Sequence, residues 1–255
     1  MLTFLGFGHS HVVAIAKGCY ELQQAGEVFA GSPLLGHFLY LFDAEFMPTL
    51  TDAEGEQTLN PRIVEKIEQT NPRFILLTIG GNEHNALSVL QLPQRFDFIL
   101  GEAPDLPLDP GADILPEAVV REVIRERMEG TIAIVRAFRR SFDLPLAQME
   151  PPPPLPAEQI LAYPKEFFKR VVDPKRLSTE TFRYKVWRIQ ANLYRELCGA
   201  EDVVYVPVPA DLQDDTGLLA RAAWGHDATH ANGYFGQRMI RELMLRIGER
   251  IRADG

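Results

Sequence analysis

An α/β domain built on a central parallel sheet is the fold class this sequence predicts, and three observations carry that expectation. Short apolar runs of strand length alternate with helical periodicities along the whole chain. One of those runs, RFILLTIGG (73–81), is almost continuously apolar, as strands buried on both faces of a parallel sheet are. The polar clusters that could carry chemistry follow such runs or precede the last helix, and sites in parallel sheets gather at the carboxyl ends of the strands.

The elements follow in order. LTFLGF (2–7) is a first strand before a glycine, and SHVVAIAKGCYELQQAG (10–26) reads as a helix stopped by Gly26. HFLYLFD (37–43) has the aromatic and apolar content of a strand, and PRIVEKIEQT (61–70) opens with a proline suited to a first helical turn. The run at 73–81 is the third strand. Residues 101–115, rich in Pro, Gly and Asp, read as an exposed loop, and 116–138 as one long helix. LPLAQME (144–150) is a fourth strand, stopped by Pro151 to Pro154. Because proline cannot donate to a sheet ladder, 151–176 is expected to be a surface excursion acting as a spacer. The segment 178–199 opens with a serine cap and carries Phe182, Val186, Ile189, Leu193 and Leu197 at helical spacing, a core stripe. DVVYVPVP (202–209) is a fifth strand, and the tail from about 231 presents Phe235, Met239, Ile240, Leu243, Ile247 and Ile251 on one helical face. No internal repeat is visible, so residues 1–255 are read as one domain with about five strands.

Composition narrows the function. With 46% hydrophobic and 24% charged residues the chain of 255 residues can bury a sizeable core, unlike a disordered chain. A net charge of -9 and the lack of a basic face argue against a nucleic-acid partner. Cys19 and Cys198 are far apart and form no metal-binding spacing, so both are read as buried thiols. The absence of a basic leader and of any apolar run of about 18 residues leads to the expectation of a cytoplasmic protein with no membrane partner.

Three polar islands remain. Gly8-His9-Ser10-His11 follows the first strand and places Ser10 at a helix start, where backbone N–H groups favour negative charge; a serine there could also be only an N-cap. Gly80-Gly81-Asn82-Glu83-His84 follows the third strand, with an asparagine amide able to donate and glycines that let the backbone come close. WGHDATHANG (224–233) places Asp227 three residues before His230, so that a carboxylate can hold one imidazole nitrogen and leave the other as a base. Read together, they supply a nucleophile, an oxyanion donor and a base with its orienting group. Serine needs each of these, being a poor nucleophile at its own pKa.

These residues resemble the SGNH, or GDSL, hydrolases, whose motif blocks run Gly-Asp-Ser near the start, Gly-x-Asn-Asp in the middle and Asp-x-x-His near the end. Gly8-His9-Ser10, Gly80-Gly81-Asn82-Glu83 and Asp227-Ala228-Thr229-His230 are similar to these blocks, in that order. The resemblance implies a flavodoxin-like three-layer α/β/α fold and hydrolysis or transfer of an acyl group through an acyl-serine, without metal or cofactor. It implies that Ser10 is the nucleophile, His230 the base and Asp227 its orienter, with Asn82 and the Ser10 amide forming the oxyanion hole. His9 and Gly81 would meet a substrate that is a small ester or an acylated carbohydrate. Two departures stand out: His9 replaces the family's first aspartate and Glu83 its later one. The glycine block after the second strand is also missing, so a third oxyanion donor would be a backbone N–H of 43–45, centred on Ala44.

Two other readings share these residues. His9, His11, His84, His226, Asp227 and His230 resemble a metal set, as in metallophosphoesterases, but the order of the motifs is wrong for that family. A non-catalytic carbohydrate-binding member of the same fold is the other, and the joint presence of Ser10, Asn82, Asp227 and His230 argues against it.

Overall fold

The computed structural model describes residues 1–51, 57–164 and 173–253. Its elements are β1 (Leu2–Gly8), α1 (Val12–Gln24), β2 (Val28–Phe29), β3 (Ser32–Tyr40), β4 (Thr49–Thr51), β5 (Gln57–Leu59), α2 (Pro61–Thr70), β6 (Phe74–Thr78) and α3 (Glu83–Ser88). There follow β7 (Phe96–Asp97), β8 (Asp113–Ile114), α4 (Glu117–Arg127), α5 (Glu129–Ser141), β9 (Leu146–Met149), α6 (Ala157–Ala162), α7 (Glu180–Ala200), β10 (Val204–Val206) and α8 (Gly233–Ala253). Six strands form the main sheet in the order β10-β9-β6-β1-β3-β2. The first five of these are parallel, and β2 closes the edge as an antiparallel hairpin with β3. The parallel strands, counted along the chain, stand in the order 2-1-3-4-5, the flavodoxin-like arrangement, and β1 and β6 flank its switch point.

Alternation along the central strands divides the core in two. Phe4, Phe74 and Leu76 face α1 and α8, packing with Ile15, Cys19, Phe235, Met239 and Leu243. Leu5, Phe7, Ile75 and Leu77 face α2 and α5, packing with Ile63, Ile67, Val135 and Phe138. This gives helix, sheet and helix layers, and accounts for strands without a polar face. Cys19 and Cys198 are free and buried, and burial raises their thiols to about 11 and about 12.

One contact sets the position of the last helix. Gly18 of α1 and Gly236 of α8 meet backbone to backbone: a Cβ at Gly236 would overlap the Ala14 carbonyl, and one at Gly18 the backbone of Gly236 and Gln237. Glu21 accepts from Gln237 (2.7 Å), and Glu27 takes a two-point hydrogen bond from Arg241 (2.8 and 2.7 Å). The starts of α1 and α8 are thereby held at the same end of the sheet.

Several expectations need correction. The proline run is no surface spacer, since Pro151 to Leu155 are buried. Proline brings no N–H that would be left unsatisfied, so only carbonyls need partners. Three carbonyls of the run have them: Trp187 Nε1–H donates to Pro151 (3.1 Å), Leu219 N–H to Pro154 (3.0 Å) and Arg183 to Leu155 (3.2 Å). Part of the expected excursion, 165–172, lies outside the described residues. The single helix over 116–138 is two, broken at buried Met128 beside Gly130, because α4 packs on α3 and α7 while α5 turns onto the sheet. The second strand begins at Ser32, with Pro33 and Gly36 inside it, rather than at 37. The cap of α7 is Thr179, whose hydroxyl accepts from Phe182 N–H (3.2 Å), rather than Ser178.

Candidate active site

Both loops that flank the switch point are tied to each other. The Gly80 N–H donates to His9 Nδ1 (3.0 Å), and the His9 N–H donates to the Thr78 carbonyl (3.3 Å). His9 Nδ1 therefore acts as an acceptor, and burial lowers its pKa although Glu83 opposes this. The chain can turn there because Gly80 and Gly81 adopt φ of 74° and 97°, which L side chains rarely take.

Glu83, the second departure from the family pattern, holds this loop. Its carboxylate accepts from Gly81 N–H (2.8 Å), Gln190 Nε2–H (2.6 Å) and the Thr131 hydroxyl (3.1 Å). Helices α5 and α7 thus fix the loop that carries Asn82. Asn82 sits at the N-cap position of α3 but its side chain makes no capping hydrogen bond, so its carboxamide is not engaged in ending the helix. Gly81, expected to meet substrate, is turned to the protein interior. Its N–H is held by Glu83, and it is buried against the His11 ring and Pro151. Gly80, one residue earlier, is the glycine that lines the neighbouring cleft.

Ser10 lies in the turn between β1 and α1. Helix α1 begins at Val12, His11 occupies the cap position, and no side chain caps it, so Ser10 is not an N-cap serine. Its Oγ is buried and accepts or donates no hydrogen bond to the protein.

The third island folds on itself. Gly225 N–H donates to the His230 carbonyl (2.9 Å), and Gln159 of α6 reaches the carbonyls of Gly225 (2.9 Å) and Asp227 (3.3 Å). Within the loop, one Asp227 oxygen accepts from the N–H groups of Thr229 (2.8 Å) and His230 (2.7 Å), and the other accepts from His230 Nδ1 (2.6 Å). Burial alone would raise the Asp227 pKa, but these hydrogen bonds outweigh it and hold the carboxyl at about 2. A bond to Nδ1 leaves Nε2 as the free ring nitrogen, and Nε2 of His230 is buried without a partner.

The islands meet through His11. Its ring lies 5.1 Å from the His230 ring and against Gly81, so residues from loops one, two and three are in contact. Burial, followed by the neighbouring His230 and His84, lowers its pKa to about 3, and His11 is a neutral wedge. His84 is buried too, with its pKa lowered to about 4 by burial, and its Nδ1 pairs with Gln190 Oε1 (2.9 Å). Among the described residues no group of three or more His, Cys, Asp or Glu is arranged to hold a metal ion. His226 of the imagined metal set is exposed.

A cleft of about 340 Å³ opens beside these loops, lined by His9, Phe42, Asn82, Glu83, Arg127 and Thr131 among others. The His9 and Phe42 rings lie 4.6 Å apart and form one wall. From the 42–46 segment it is Phe42 that reaches this cleft; Ala44 is exposed at the start of a short 3-10 turn and does not line it. Sequence reasoning missed Thr131, Gln190 and Arg127, none of which belongs to a local motif; Thr131 and Gln190 reach the site only across elements.

No helix among the described residues is long and apolar enough to cross a membrane. No family model matches the sequence, and no curated protein matches it significantly. Solved structures similar to the chain include the periplasmic domain of a lipopolysaccharide acetyltransferase from Salmonella ser. Paratyphi A, at 13% identity and a TM-score of 0.49, covering 98% of this chain and 83% of that one. A catalytic mutant of an acetylxylan esterase from Geobacillus stearothermophilus matches at 13% identity and a TM-score of 0.49, covering 97% and 94%. A GDSL-like lipase from Bacteroides thetaiotaomicron matches at 10% identity and a TM-score of 0.37, covering 99% and 89%.

Proposed function

We propose that the protein is a serine esterase of SGNH type that hydrolyses an acyl ester, or transfers its acyl group to another hydroxyl. The observation that carries the reading is the Asp227–His230 pair at 2.6 Å, whose imidazole lies against His11, the residue after Ser10. With Nδ1–H held by Asp227, Nε2 of His230 takes the Ser10 proton as Oγ attacks the ester carbonyl. The carbonyl π bond opens to an oxyanion that the Asn82 amide and the Ser10 N–H stabilise. Collapse expels the alcohol, which receives the proton from His230, and leaves an acyl-serine. Water, activated by the same nitrogen, then releases the acid and restores Ser10; an acceptor alcohol in its place gives transfer. A small acylated alcohol or carbohydrate is the substrate class this reading favours.

Incubation with a fluorophosphonate, followed by peptide mass spectrometry, tests it. Labelling of Ser10 together with hydrolysis of 4-nitrophenyl acetate is expected, and both should vanish in Ser10→Ala. Turnover that survives Ser10→Ala, or carbohydrate binding with neither labelling nor turnover, would overturn the assignment.

A further inference from the structure

The cleft beside Asn82 carries one cation, and the reaction does not use it. Arg127 ends α4 at the cleft rim, exposed, and among the described residues it has no ion-pair or hydrogen-bond partner. Other arginines of α4 and α5 do: Arg121 pairs with Glu196, Arg125 with Glu122 (3.7 Å) and Arg136 with Glu201 (2.7 Å). A place in the last turn of a helix suits any cation through the helix dipole, but does not account for a guanidinium left unpaired at a cleft. The other lining groups are already satisfied or neutral. Glu83 accepts three hydrogen bonds, the Thr131 hydroxyl donates to it, and His9 accepts through Nδ1 from Gly80.

We propose that Arg127 is a specificity-determining residue, which receives a carboxylate, sulfate or phosphate group carried by the ester substrate. This rests on the esterase reading for the reaction itself, but the binding step stands apart from it. A planar guanidinium offers paired N–H donors to such oxyanions, a geometry that lysine lacks. The chain's net charge of -9 would otherwise repel an anionic ester, so a local cation is what admits one. The cleft walled by His9 and Phe42 has a volume of about 340 Å³, which leaves room for a substituent between its Asn82 side and Arg127.

Three esters separate the cases: neutral 4-nitrophenyl acetate, mono-(4-nitrophenyl) succinate with its anion on the acyl side, and 4-acetoxybenzoate with its anion on the alcohol side. Arg127→Gln should lower kcat/KM for at least one anionic ester by about tenfold to a hundredfold, the size of a lost charge-assisted contact, and leave the neutral ester within about twofold. Which anionic ester responds tells the side on which the charge lies. Binding is read independently of turnover by calorimetry on Ser10→Ala with each anionic ester, where adding Arg127→Gln should weaken one Kd by at least about tenfold. Equal changes on all three esters, or Kd values unmoved by Arg127→Gln, overturn the proposal. If the parent protein hydrolyses none of the esters, the esterase reading fails, and the calorimetric comparison still decides the role of Arg127.

Discussion

Replacing Asp227 by Asn isolates one oxygen. The carboxylate makes three hydrogen bonds, two from backbone N–H groups to one oxygen and one from His230 Nδ1 to the other. An asparagine can keep its carbonyl toward the two N–H groups, which then turns its NH2 toward Nδ1. The imidazole must now accept at Nδ1 and carry its proton on Nε2, where no lone pair remains to deprotonate Ser10. A loss on the order of a thousandfold to ten-thousandfold in kcat/KM is expected, as for the corresponding change in other triads. Stability should fall too. The carboxyl is held at about 2 against an ordinary 3.8, and its side chain is only 27% exposed, so the difference corresponds to about 2 kcal/mol. Because the folded pKa is the lower one, this stabilisation is complete above about pH 4, shrinks as the pH falls through 3.8, and is lost below about 2. Esterase kinetics with 4-nitrophenyl acetate and urea unfolding at pH 7, 4 and 3 read both effects. Activity within tenfold of the parent would refute the assignment of Asp227 as the orienting group, and equal stability at pH 7 would refute the three-bond account of its pKa.

Asn82→Ala should reduce kcat by about a hundredfold to a thousandfold with little change in KM, since an oxyanion donor acts only in the transition state; a kcat within threefold would remove Asn82 from that role. His11 and His84 have folded pKa values of about 3 and about 4, below the ordinary 6.5, so the unfolded chain binds more protons at mildly acid pH and stability falls as the pH drops below 6.5. Each histidine should contribute about 1.5 kcal/mol to the loss between pH 6.5 and 5, so His84→Leu should flatten the pH dependence of the urea unfolding free energy by that amount. An unchanged slope would mean that His84 is not buried neutral. Gly236→Ala should force α8 off the Ala14 carbonyl and cost about 1 to 3 kcal/mol in urea unfolding, with kcat reduced as the His230 loop moves; a variant as stable and active as the parent would refute that contact.

How much was legible in the sequence follows the range of the interactions. The strand–turn–helix around Ser10 and the Asp227–His230 pair are encoded within a few residues, by an apolar run ending in glycine and by a three-residue spacing, and both appear in the structure. The cap reading of Ser10 turned on where the helix begins, and α1 starts one residue later, with His11 at its cap position; the surroundings of Gly81 turned on His11, 70 residues away in sequence, which fills the space beside it. The proline run misled for a related reason. Its composition reports a lack of donors, and lack of donors permits either exposure or burial; Trp187, Arg183 and Leu219, distant in sequence, decide for burial.

His9 and Glu83, the two residues at which the sequence departs from the motif blocks it resembles, are coupled parts of one arrangement. His9 anchors Gly80 while Glu83 anchors Gly81, so each end of the two-glycine turn is held by one of the residues that departs from the pattern. Glu83 is in turn gripped by Gln190 from α7 and Thr131 from α5, at sequence separations of 107 and 48 residues, distances over which no local motif carries information. On this account His9→Asp, which would complete the Gly-Asp-Ser block that the first island resembles, should weaken rather than improve the site, because a carboxylate at position 9 would face Glu83 across Gly80 without the aromatic contact to Phe42. A shorter and charged side chain cannot reproduce a neutral ring acceptor, and the pattern's most visible defect is then what keeps the loop of Asn82 in place.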